Sequence, residues 1–278
     1  MEYLSRPDGT NIHYLSLGEG ETTLVLLHGW TANAQVWLPI ASELAKNHHV
    51  IIWDARGHGG HEYADDCKIS LPIMADDLEA MLEHLGITNA VLVGHSMGAL
   101  TSWEYLRRHG DKRLRGLCVI DQSPKLVTDS AWQHGVYSDF SQDTNTAFLH
   151  LLSENFAEAV LEFIAFGKNR LSREGYEQNT HYFQQLRLYL QQQPGALLTQ
   201  CWDSIAQQDY RDVVSNIQLP TLLVYGDESQ FYSAELQQWI SQAIKGSDLR
   251  IYANSDHSPH LWNKERFIDD LNCFIDSL

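Results

Sequence analysis

Basic residues are scarce: 19 lysines and arginines stand against 36 aspartates and glutamates in a chain of 278 residues, a formal charge of −17. That imbalance repels phosphate backbones and anionic bilayers, so neither nucleic acid nor membrane is an expected partner, and an acidic carrier protein is not expected either. The densest basic group, Lys168, Arg170 and Arg173, lies in a short polar segment and reads as a solvated turn. Cysteine is scarce too. Cys67, Cys118, Cys201 and Cys273 are widely spaced and form no CxxC pair, which argues against a disulfide framework and for buried free thiols. No run of about 18 apolar residues is present to cross a bilayer. The opening MEYLSRPDGTNIHY lacks the basic and apolar regions of a secretory leader, so the cytoplasm is the expected compartment.

What is present is ample material for a core, since 44% of the residues are hydrophobic. Short aliphatic runs, TLVLLHG, HVIIWDA, NAVLVGHS, LRGLCVID, LPTLLVYGD and LRIYANS, alternate with helix-like segments. That alternation predicts an α/β fold with a mostly parallel central sheet and helices on both faces. Asp8-Gly9 marks a hairpin turn near the start. Leu71, Met74, Leu78, Met81, Leu82 and Leu85 recur at three and four residues behind Ser70, and Gly86 follows, which predicts a capped helix lying on the sheet. The alternation then stops. From residue 123 to 216 the chain is glutamine-rich, aromatic and helical, so these residues are expected to form a helical cap inserted into a core made of residues 1–122 and 217–278.

The strongest chemical signal is Gly94-His95-Ser96-Met97-Gly98, because it follows an apolar strand and opens a helix. In that context Gly-x-Ser-x-Gly makes a sharp turn that exposes a nucleophilic serine at the sheet edge. With it the chain resembles the α/β-hydrolase fold family over nearly its whole length. Leu27-His28-Gly29-Trp30 resembles the family's oxyanion loop, Asp54-Ala55-Arg56-Gly57-His58-Gly59 its D-x-R-G-H-G turn, Asp256-His257-Ser258-Pro259-His260 the histidine loop, and Glu265 to Phe274 the closing helix.

The resemblance implies Ser96 as nucleophile, His257 as general base, and the backbone amides of Trp30 and Met97 as oxyanion hole. A serine at position 96, where some relatives carry aspartate, implies an acyl-enzyme and hence an ester, thioester, lactone or amide substrate. A carboxylesterase acting on a small-molecule ester is the first expectation. A thioesterase, a lactonase, a cofactor-free perhydrolase or haloperoxidase, and a non-catalytic small-molecule receptor are the alternatives. No cofactor motif occurs. Two HxxH spacings, His58/His61 and His257/His260, fall in loops that the resemblance already accounts for, so no metal is expected.

The triad acid is ambiguous. Many members of the family carry it three residues after the glycine ending the penultimate strand, and counting from Gly226 that place holds Ser229. The candidates are Asp121, at the end of LRGLCVID, and, as alternative, Asp227. Asp121 is favoured. Candidate pocket residues are His95, His260, Trp132 and Phe140, although aromatics at helical spacing in the insertion are more often its own core.

Overall fold

The computed structural model describes residues 1–64 and 66–278. Its strands are β1 (Glu2–Ser5), β2 (Asn11–Leu17), β3 (Thr23–Leu27), β4 (His49–Asp54), β5 (Ala90–His95), β6 (Leu114–Ile120), β7 (Thr221–Gly226) and β8 (Asp248–Tyr252). They form a single sheet in the order β1-β2-β4-β3-β5-β6-β7-β8. The β1–β2 and β2–β4 pairs are antiparallel and the others parallel. Arg6 O accepts from Gly9 N at 2.9 Å, closing the Asp8-Gly9 turn between β1 and β2.

The six parallel strands are the six aliphatic runs of the sequence. Strands covered on both faces read as near-continuous apolar runs, and β3 shows how the sides divide. Leu24 and Leu26 pack with Trp37, Ile40, Phe267 and Leu271 on one face, whereas Val25 and Leu27 pack with Leu78, Met81, Leu100 and Trp103 on the other. The helices responsible are α1 (Leu38–Leu44), α2 (Leu71–His84), α3 (Met97–His109) and, after β8, the closing helix, Lys264–Asp276. Ser70 caps α2, its Oγ accepting from Ile73 N at 3.4 Å, as its place ahead of the apolar repeat predicts.

Between β6 and β7 the chain passes through α4 (Gln142–Glu154), α5 (Phe156–Ala165), α6 (Arg170–Glu177), α7 (His181–Gln191), α8 (Gly195–Ala206) and α9 (Arg211–Ser215). Among the described residues it forms no strand there, only the isolated bridges Lys125–Asp209 and Asp129–Trp132. The core of this insertion is aromatic. Phe148 and Phe163 stack at 4.7 Å, and Trp202 meets both edge-on. Among the described residues no helix is long and apolar enough to span a bilayer.

Candidate active site

Ser96 stands between β5 and α3 with φ 53° and ψ −117°. A non-glycine residue is strained in that region, and the neighbouring glycines explain how it is held there. A Cβ on Gly98 would lie 2.2 Å from Leu27 O, and one on Gly94 2.5 Å from Ala99 N. Backbone therefore packs against backbone on both sides of the turn. Ser96 N donates to Ile120 O at 3.1 Å, tying the turn to β6. Met97 opens α3, so its amide is one of the first-turn N–H groups without an intrahelical acceptor.

The Gly29-Trp30 loop lies alongside. His28 Nδ1 donates to Gly29 O at 2.8 Å, and its Nε2 accepts from Ala55 N at 3.0 Å. The Trp30 indole N–H donates to Leu198 O in α8 at 2.9 Å, and Tyr189 Oη of α7 donates to Thr31 O at 2.8 Å. The loop is thus fastened to the helical insertion as well as to the sheet.

His257 is brought to the end of β6. Its Nδ1 lies 2.6 Å from Asp121 Oδ2, and Asp121 is fully buried. A carboxylate accepts, so Nδ1 is the donor in this contact and Nε2 is the nitrogen left to face the cavity. Asp121 Oδ2 also accepts from Ser229 Oγ at 2.6 Å, and Oδ1 from Gly226 N at 3.3 Å. The His257 main chain is clamped as well: its N–H donates to Gln230 Oε1 at 2.8 Å, and its carbonyl accepts from His95 Nε2 at 2.8 Å. Asp227 is exposed and turned elsewhere, its Oδ1 accepting from Ser255 N at 3.3 Å.

Ser96, His257, Trp30, Met97 and His95 all line one cavity of about 500 Å³. Its mouth is bordered by exposed Gln35, Tyr182 and Leu261, and its far end by buried Leu126, Val136, Val160, Trp202 and Ile205. The volume is that of a small-ligand site.

Three expected pocket residues are absent from the lining. Trp132 packs edge-on against Trp239 at 4.8 Å with its indole N–H on Lys125 O, because the chain leaving β6 folds it away from Ser96. Phe140 stands behind the wall, against Phe148, Phe163 and Trp202, as core of the insertion. His260 is fully buried between Trp37 and His95, with ring centroids 4.7 and 4.6 Å away, and neither of its nitrogens has a partner among the described residues. Burial, with His257 adding to it, drives the His260 pKa down to about 3. Burial also holds His95 well below the usual histidine range, helped by His260 and His257. Of the other HxxH pair, His58 Nδ1 donates to Arg56 O at 2.9 Å and His61 pairs with Asp54 at 2.7 Å.

Sequence reasoning passed over Gln122, Ser229 and Gln230. Ser229 had been counted only as an empty acid position, and no pattern marks Gln230 as the support of the histidine loop. The one available signal for Gln122 is its place directly after Asp121.

A family model described as the alpha/beta hydrolase fold matches residues 22–264. A non-heme chloroperoxidase from Kitasatospora aureofaciens is 27% identical over 99% of both chains. A pimeloyl-[acyl-carrier protein] methyl ester esterase from Vibrio vulnificus is 27% identical over 95% of this chain and 98% of its own. An esterase from Exiguobacterium antarcticum superimposes with a TM-score of 0.84 at 23% identity, covering 99% of this chain and 98% of its own. The second relative overturns the exclusion of carrier proteins drawn from net charge. Overall charge averages the surface, whereas recognition of a partner is local, so net charge alone does not exclude one.

Proposed function

Because the chain belongs to the α/β-hydrolase fold family, we propose that it is a serine hydrolase that cleaves carboxylic esters through an acyl-enzyme, with Ser96, His257 and Asp121 as its triad. The observation that carries this reading is the 2.6 Å contact of His257 Nδ1 with buried Asp121 beside the cavity that Ser96 lines. Residues 123–216 act as a cap over a core of residues 1–122 and 217–278. The free cysteines favour the cytoplasm as the place of action.

Ser96 Oγ attacks the ester carbonyl while His257 Nε2 takes its proton. Asp121 holds the ring in the required tautomer and stabilises the imidazolium. The amides of Trp30 and Met97 donate to the oxyanion, where preorganised donors act most strongly. Collapse expels the alcohol, which receives the proton from His257. Water, deprotonated in turn by His257, then releases the acid and restores Ser96.

The test is labelling by a fluorophosphonate together with turnover of an aryl-ester panel of varied acyl length. Ser96 is labelled, and Ser96→Ala lowers kcat by about 10³-fold or more. A Ser96→Ala variant retaining a tenth of the activity removes Ser96 as nucleophile, whereas a cavity that binds esters without labelling or turnover favours a receptor. The relatives' names add two members to the panel: a methyl ester carried on acyl-carrier protein, and hydrogen peroxide as acceptor in place of water.

A further inference from the structure

Gln122 is 2% exposed and lines the cavity beside the nucleophile. β5 and β6 run in register with His95 opposite Ile120, so Gln122 projects from the strand end next to Ser96. Its backbone is pinned by Tyr225 Oη, which donates to its carbonyl at 2.6 Å. Its side chain has one assignable orientation. Oε1 accepts from Ser123 N at 2.7 Å and from Tyr232 Oη, and a backbone N–H can meet only the amide oxygen. Both protein contacts of the side chain therefore fall on Oε1. The Nε2 amino group is the end left for the cavity, whose lining also includes Leu126, Val136, Phe231 and Trp202. Nε2 has no hydrogen-bond partner among the described residues and is not sealed off, so it stays open to the cavity, where a substrate oxygen can accept from it.

Resting on the esterase reading, we propose that Gln122 is a specificity-determining residue whose Nε2 donates to an oxygen carried on the acyl chain close to the scissile carbonyl. The preferred substrates are then esters of oxygen-substituted acids, such as alkoxy, hydroxy or oxo acids, and not of plain hydrocarbon acids. The acyl part is assigned to the buried end because the alcohol must leave through the mouth before water attacks.

The test compares 4-nitrophenyl methoxyacetate with 4-nitrophenyl butyrate, which share a leaving group and differ by an oxygen in place of one methylene. The ratio of their kcat/KM values, divided by the ratio of their hydroxide-catalysed rates, is the preference due to the protein. Wild type is expected to favour the methoxyacetate about tenfold on this scale. Gln122→Glu keeps an oxygen for Ser123 and Tyr232 but no donor toward the cavity, and brings the ratio to unity or below. Gln122→Met, which lacks both groups, does the same. A ratio near unity in wild type, or one unchanged in a folded Gln122→Glu protein, overturns the proposal while leaving the esterase reading intact. Absence of Ser96-dependent turnover of either ester overturns both.

Discussion

Asp121 Oδ2 accepts from His257 Nδ1 and Ser229 Oγ at the same time, each at 2.6 Å, while Oδ1 accepts from Gly226 N. A carboxylate so bound is fixed in position, and the exposed Asp227 has no comparable tie to the imidazole. Asp121→Asn is therefore expected to lower kcat by about 10³-fold with KM little changed, and Asp227→Asn by tenfold or less. Steady-state kinetics of the two variants on one aryl ester check this, and the reverse ranking would place the acid at Asp227. At this scale the sequence was legible where a residue's role follows from its immediate neighbours. The strand-to-helix turn at Ser96 is marked by its two glycines, and the place of Asp121 by the strand it terminates. Trp132, Phe140 and His260 were misplaced because an aromatic ring near a site is chosen as wall or as backing by packing across distant helices, which no local spacing encodes.

At the scale of elements, the inner strands of the parallel sheet were readable as apolar runs, because burial on both faces leaves little room for polar residues, whereas the edge strand β8 is only partly buried and carries Asp248 and Arg250. The contact between β3 and α3 was not readable in this way. It depends on Gly98, where an added Cβ would strike the Leu27 carbonyl, a backbone group that cannot swing aside. Gly98→Ala is expected to destabilise the fold by about 3 kcal/mol or more, measured as the shift in urea unfolding. A loss below about 1 kcal/mol, the ordinary scale of a point substitution, would mean that α3 can move away from the sheet. The insertion was legible as helical but not in its attachments. The bonds from Trp30 to α8 and from Tyr189 to Thr31 join groups more than a hundred residues apart.

For the molecule as a whole, the interior carries several histidines kept neutral. His58 and His260 are each driven down to about 3, first by burial and then by His28 and His257 respectively, and His95 lies well below the ordinary range. In the unfolded chain all three titrate near pH 6.5. Between about pH 6.5 and 3 the unfolded state thus binds protons that the folded state does not, and stability falls as pH is lowered through that window. Each such group contributes up to about 1.4 kcal/mol per pH unit. His260→Phe removes one of them without stranding a hydrogen-bond partner, since its nitrogens have none among the described residues. The loss of unfolding free energy between pH 7 and 5, measured in urea, should be smaller in this variant than in wild type; an equal loss would show that His260 is protonated in the fold.

The backbone angles at Ser96 set two kinds of selection against each other. Glycine adopts φ 53° without the penalty that serine bears, so Ser96→Gly should unfold at a higher temperature than wild type, by an amount corresponding to about 1 kcal/mol. Directed evolution scored on heat resistance alone would enrich that change, and with it a population that lacks the hydroxyl proposed to attack the ester. Only a screen that rewards turnover in the same round keeps the strained residue in place.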